Sequence, residues 1–171
     1  ANVWTAHSGS ADEIQVVGNR ILVTAQGSAD VSALLGEASI PASSTNPLYL
    51  SLIFKLTALP SGAGSYFAHF KAGNTFRGRL FVSTNGTMPN TFNIGISNGA
   101  NTPSTNFPGN LELGVDYRIV MRYVPSNATT TLWLAPGRED NVSVTASDAA
   151  STTSVTSVAF RQASGIGNIS V

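Results

Sequence analysis

Between Leu48 and Leu56 the chain reads L-Y-L-S-L-I-F-K-L, with Leu48, Leu50, Leu52, Phe54 and Leu56 alternating with Tyr49, Ser51, Ile53 and Lys55. A period of two sends successive side chains to opposite sides of an extended strand, so one face is buried and the other meets solvent. No segment sustains a helical period. Asp30–Glu37 (D-V-S-A-L-L-G-E) comes nearest, with Asp30 placed to cap one short turn that Gly36 would end.

The alternation recurs along the chain. Ile14–Val17 and Ile21–Thr24 flank Gly18-Asn19, a pair that tolerates positive φ and suits a tight hairpin. Ser65–Lys71, Arg77–Ser83, Thr91–Ser97, Tyr117–Val124, Thr130–Ala135, Ser157–Arg161 and Ile166–Val171 follow, separated by Gly/Pro/Asn/Ser turn sequences. Asn98–Pro108 reads as a polar surface excursion, and Asp148–Ser157 as a loop crossing between sheets. Short strands at this spacing with almost no helix predict an all-β fold, a two-sheet antiparallel jelly-roll sandwich. At 171 residues the chain suits a single domain over 1–171. The closing G-N-I-S-V is expected either to pair with the N-terminal strand or to mark a module cut from a larger multidomain chain. The start at Ala1, without Met or signal segment, fits a mature or excised module.

Composition narrows the partners. Charged residues make up 11%, against a usual share of about 25%, so Ser, Thr and Asn carry the solvent-facing surface. A formal net charge of zero argues against nucleic acid, which selects a basic excess. No apolar run approaches the roughly 18 residues of a membrane span, so no membrane insertion is expected. The absence of Cys removes disulfides, thiolate chemistry and Cys-based zinc sites. Only Lys55 and Lys71 among abundant Ser/Thr/Asn/Gly suggest an exported protein, secreted, extracellular or at the cell surface.

Against this low charge, Y66-F-A-H-F-K-A-G-N-T-F-R-G-R-L-F-V-S-T-N-G86 concentrates His69, Lys71, Arg77 and Arg79 among aromatics. Parity places Tyr66, Ala68, Phe70, Phe76, Gly78, Leu80 and Val82 in the core and Phe67, His69, Lys71, Arg77, Arg79, Phe81 and Ser83 outside. The same count puts Asn93, Gly95, Ser97, Arg118, Val120, Arg122, Thr131 and Trp133 outside. If all five strands share a sheet, its outer face is a platform of guanidinium forks and flat rings, with room at Gly95. Such a surface suits a polysaccharide, with Trp133 and Phe81 stacking on sugar C–H faces. Arg77, Arg79, Arg122, Lys71, His69 and Asn93 would supply the hydrogen bonds. A solvated sheet face whose Arg stems cover apolar surface fits the same pattern.

Catalytic constellations are incomplete. Glycoside hydrolysis needs two carboxylates flanking one bond, and no strand carries acids at i and i+2. No G-x-S-x-G nucleophile elbow is present. His7 and His69 alone cannot hold zinc. Calcium is the more plausible ion, at Asp12/Glu13 or at Glu139/Asp140/Asn141 with loop carbonyls, and a solvated acidic turn is the alternative.

The segments L48-Y-L-S-L-I-F-K-L, S65-Y-F-A-H-F-K-A-G, F76-R-G-R-L-F-V-S, L113-G-V-D-Y-R-I-V-M-R-Y, T131-L-W-L and F160-R-Q-A-S-G-I-G-N-I-S-V resemble the laminin-G-like branch of the concanavalin A-like lectin/glucanase superfamily. They look like a module of large secreted bacterial proteins. That resemblance implies two curved antiparallel sheets, glycan contacts on a concave face or edge loops, and frequently calcium. Members span lectins, glycosidases, lyases, adhesins and structural spacers. His69-Phe70-Lys71-Ala72-Gly73 is similar to the Y-F-K-A-G motif of alginate-lyase-type enzymes, with His69 in place of Tyr and no Gln-x-His strand. Tyr66, Tyr117 and Tyr123 all have core parity, opposite to His69. The sequence therefore predicts a non-catalytic carbohydrate-binding module, with a self-associating structural module pairing through strand edges as its rival.

Overall fold

The structure is a computed structural model that describes residues 3–36, 39–148 and 152–171. Its first strands are β1 (Thr5–Ser8), β2 (Gln15–Val17), β3 (Arg20–Thr24), β4 (Asp30–Leu34) and β5 (Leu48–Ala58). Then come β6 (Ser65–Ala72), β7 (Thr75–Ser83), β8 (Thr91–Ser97), β9 (Thr105–Asn106) and β10 (Leu111–Glu112). The series ends with β11 (Tyr117–Val124), β12 (Thr129–Leu134), β13 (Ser143–Ala146), β14 (Ser157–Phe160) and β15 (Asn168–Ser170). One sheet runs β1-β4-β14-β6-β7-β8-β10, with β9 also on β8, and the other β13-β12-β11-β5-β15-β3-β2. The two-sheet antiparallel jelly roll expected from the alternation is the fold observed.

Leu52, Phe54, Leu56, Ile119, Met121, Tyr123 and Leu132 of the second sheet form one core with Phe67, Phe70, Leu80, Val82, Phe92, Ile94 and Ile96 of the first. Aromatic pairs span the gap: Phe54 to Phe67 at 5.9 Å and Phe70 to Tyr123 at 6.1 Å between ring centroids. Each such side chain, fully buried, contributes about 1.5–3 kcal/mol of transfer free energy. The β2–β3 hairpin turns through Gly18 and Asn19, at φ of +58° and +63°.

Two local expectations are corrected. Asp30–Leu34 is a strand held between β1 and β14, not a helical turn. A segment this short has no helical stability of its own, so pairing on both sides decides it. Glu37 lies outside the described residues. The closing strand β15 is internal, pairing with β5 and β3, while Thr5–Ser8 joins the other sheet.

The parity of β6 and β7 is corrected as well. Tyr66 pairs with Phe81 and Ala68 with Leu80, so β6 has an extra residue at Phe67. Phe70 then pairs with Arg77, which puts the next extra residue in β7. There Gly78 sits at φ +57°, the left-handed backbone that a bulge of this kind requires. Phe67 and Ala68 both turn inward, and Tyr66 and Phe76 move to the outer face beside His69. Arg77 leaves that face and lies beside the Tyr123 phenol of the opposite sheet.

Gly78→Ala is expected to destabilise the fold by about 1–3 kcal/mol, from the left-handed backbone and the intrusion on packed neighbours. A Cβ there would sit 3.1 Å from Phe70 Cδ2. Urea denaturation measures this, and an unchanged midpoint would show that β7 can pair without the bulge.

Candidate functional site

The outer face of the first sheet gathers side chains from β6, β7 and the segment after β14. The ring of Tyr66 lies between two guanidinium groups, with Arg79 Cζ at 4.8 Å and Arg161 Cζ at 4.3 Å from its centroid. Phe81 meets it edge-on at 5.6 Å, and His69 at 5.4 Å. His69 also packs against Phe76 at 4.4 Å, over which Lys71 Nζ stands at 6.0 Å. Partly desolvated cation–π contacts of this kind contribute about 0.5–2 kcal/mol each. Arg161 is fixed where β14 ends, by its N–H to the Phe67 carbonyl (2.8 Å) and by Nη1 to Ser65 Oγ (3.0 Å).

Among the described residues Lys71, Arg79 and Arg161 take part in no salt bridge. The nearest carboxylates are committed elsewhere. Asp30 accepts from Ser8 Oγ at 2.8 Å and from the Gln162 N–H at 2.9 Å. The face is thus locally positive on a neutral protein.

His69 is 0% exposed, and neither ring nitrogen has a hydrogen-bond partner among the described residues. Burial, reinforced by Arg79, His7, Lys71 and Arg161, pushes its pKa down to about 3. The ring is therefore neutral at ordinary pH, with one N–H donor and one acceptor, both unused. Burial also lowers His7 and Lys71, with Asp30 opposing in each case.

One end of the face is closed by the segment 98–106. Arg79 Nη1 donates to the Ala100 carbonyl (2.8 Å) and to Asn101 Oδ1, and Ser97 Oγ donates to the Ala100 carbonyl at 2.7 Å. From outside, Asp148 accepts the N–H groups of Asn98 (2.6 Å), Gly99 (2.9 Å) and Ala100 (2.8 Å) and the Ser104 hydroxyl (2.6 Å). Desolvation raises the Asp148 pKa, but the Ser104 hydroxyl and these three N–H groups outweigh it and bring the group down to about 2. The space expected at Gly95 is filled: a Cβ there would collide with Asn106 Oδ1 and lie 2.9 Å from Pro103 Cβ.

The structure splits the single platform. Lys71, His69, Arg79, Phe81 and Asn93 belong to the first sheet, whereas Arg122 and Trp133 lie on β11 and β12 of the second. Phe81 and Trp133, at 2% and 3% exposure, offer no open ring face for stacking. Asn93 is spent on Ser83 Oγ (2.8 Å) and the Asn85 carbonyl (3.1 Å). Tyr66, Phe76 and Arg161, absent from the sequence-derived site, are central to it. The signal for Phe76 was Gly78 inside a strand, a mark of a bulge, whereas the extra residue at Phe67 that turns Tyr66 outward carries no such mark.

The acids named for calcium are placed as follows. Glu139 accepts from the Tyr49 hydroxyl and from Arg122, and Asp140 pairs with Arg138 at 3.0 Å. Asp12 and Glu13 are exposed on the segment before β2. Among the described residues no three His, Cys, Asp or Glu side chains converge as a metal site.

No protein-family model and no curated protein sequence matches the chain. Solved structures do. Peanut lectin with a 9mer peptide is 14% identical over 99% of this chain and 96% of its own, with a TM-score of 0.55. An alginate lyase from Corynebacterium sp. is 13% identical over 95% of this chain and 79% of its own, at 0.60. The exoplasmic/lumenal domain of VIP36, in a Ca2+/Man2-bound form, is 13% identical over 98% of this chain and 79% of its own, at 0.54. At such identities the likeness establishes the fold alone: a concanavalin A-like sandwich.

Two pH effects follow from the site. His69 keeps a lowered pKa in the fold, so below its unfolded value near 6.5 the unfolded chain binds the extra proton. Stability then falls as pH drops from 6.5 toward 3, by about 4–5 kcal/mol in total. His69→Phe should flatten this slope in urea melts at pH 4 to 7, and an unaltered slope would contradict the buried neutral ring. Asp148 has the opposite charge type: its contribution is complete above its unfolded pKa of 3.8 and is lost as pH falls through about 2. Because the group is exposed, Asp148→Asn should cost only about 1 kcal/mol at pH 7. It should also raise amide exchange at Asn98–Ala100, and exchange equal to the parent would remove the clamp assignment.

Proposed function

We propose that this chain is a non-catalytic carbohydrate-binding module of an exported protein, holding an acidic polysaccharide on the outer face of its first sheet. The observation that carries the proposal is the pair of guanidinium groups, Arg79 and Arg161, stacked on the Tyr66 ring beside Lys71, with no carboxylate partner among the described residues. A carboxylate or sulfate entering there meets guanidinium N–H groups already oriented by aromatic stacking, which suits planar anion recognition. Partly exposed Phe76, Lys71, Arg161 and His7 form the surface that a chain would touch first. Names among the solved relatives, lectins and alginate lyases, support a saccharide as ligand.

A polysaccharide lyase is the second reading, and one observation favours it. The bulge brings Tyr66 to the same side as His69, so a neutral imidazole, a phenol and two guanidinium groups do meet on one face. Against catalysis stands access: His69 is fully buried and Tyr66 nearly so, out of hydrogen-bond reach of a substrate proton.

Affinity electrophoresis through alginate, pectate, dextran sulfate and neutral dextran tests both readings. Retardation by at least one acidic polymer is expected. It should weaken about tenfold in Arg161→Ala and vanish in high salt, as for a screened charge-led contact. Equal mobility in every gel would remove the binding proposal. Growing absorbance from unsaturated uronate ends would replace it with a lyase. Polymers without glycan, built through the exposed edge strand β2, would favour a structural module.

A further inference from the structure

The second sheet carries a cleft on its own outer face, away from Tyr66. Val120 and Trp133, cross-strand partners on β11 and β12, form its floor, and Tyr49 of β5 forms one wall. Pro136–Glu139 lines the opposite side of this open cleft, whose volume is about 230 Å³. This wall is firmly built. Asn141 Oδ1 accepts the N–H groups of Gly137 (2.7 Å) and Arg138 (3.1 Å), and the Arg118 guanidinium donates to the Pro136 carbonyl. Trp133 Nε1 donates to the Glu139 carbonyl at 3.0 Å, and the Glu139 carboxylate accepts from the Tyr49 hydroxyl and from Arg122 Nη1 at 3.2 Å.

We infer that this cleft is a subsite for one neutral, hydroxyl-bearing sugar ring. Three observations select that chemistry. The charges that line it are paired, Arg122 with Glu139 and Arg138 with Asp140, and Arg118 is held on the Pro136 carbonyl, so an ionic ligand would have to displace a partner. The volume falls below the roughly 300–1,000 Å³ of drug-sized pockets, which limits the occupant to a single ring. Tyr49, 47% exposed, presents an aromatic face suited to the C–H side of a pyranose. The polar groups then separate a sugar from a proline ring of a peptide. The Tyr49 hydroxyl and the Glu139 carboxylate keep lone pairs free to accept from adjacent sugar hydroxyls, which a proline ring cannot supply. The site is independent of the Tyr66 face. Because the two lie on the outsides of different sheets, one copy can hold two saccharide chains at once.

The chain has two tryptophans, Trp4 and Trp133, so a Trp4→Phe variant lets fluorescence report on the cleft alone. Cellohexaose, maltohexaose and mannohexaose serve as probes, and at least one is expected to shift the Trp133 emission. Tyr49→Ala and Glu139→Gln should each weaken that binding about tenfold or more, while Arg161→Ala leaves it unchanged. The Trp133 indole N–H resonance in the unaltered protein gives a second readout if Trp4→Phe fails to fold. No response to any of the sugars at about 10 mM, equal affinity in Tyr49→Ala, or a response to a proline-rich peptide alone would overturn the inference. Loss of acidic-polymer binding in Arg161→Ala with neutral-sugar binding intact would show the two sites to be separate.

Discussion

Two sheets can share a core only if every strand keeps one apolar side turned inward, and β6 and β7 meet that condition through irregularity. Phe67 bulges on one strand and Gly78 on the other, so both Phe67 and Phe70 reach the aromatic rings of the opposite sheet. The second bulge compensates the first, and pairing continues on either side of the pair. Without the left-handed backbone at Gly78 the strands would lose register beyond it, and the outer face would lose Phe76.

The same irregularity sets the electrostatics. With Tyr66 outside, Arg79 and Arg161 find a ring to stack on, and this substitutes for the carboxylate partners that the face lacks. With Phe76 outside, His69 is covered so fully that its charged form is disfavoured. Two acidic residues then shape the surroundings without neutralising the cluster. Asp30 ties β4 to β1 and Gln162, and Asp148 gathers the backbone of 98–104 against the Arg79 end. A buried imidazole without partners costs stability, as unpaired buried polar groups do, and such costs concentrate where a ligand is received.

The second sheet answers the same problem differently. Its outer face keeps strict alternation along β5 and β11, so Tyr49, Val120 and Arg122 stand where parity puts them. Charge there is neutralised pairwise by Glu139, carried in from the segment between β12 and β13. One face is therefore cationic and closely packed, and the other carries a ring-sized cleft beside a paired Arg122.

Alternation in the sequence determined the all-β class, the positions of most strands and the composition of the core, because burial on one side of a strand obliges a period of two. It also marked Lys71, Arg79 and His69 as an unusual concentration of basic groups. Sheet membership was not legible: β11 and β12 alternate like β7 and β8, and only long-range pairing separates Trp133 and Arg122 from Arg79. Nor was the identity of the outward residues near Gly78, since one extra residue reverses every side chain beyond it. Arg161 joined the site from the far end of the chain, by the antiparallel pairing of β14 with β6. Local patterning fixes which residues must be hidden, and tertiary pairing decides which of the remaining ones meet.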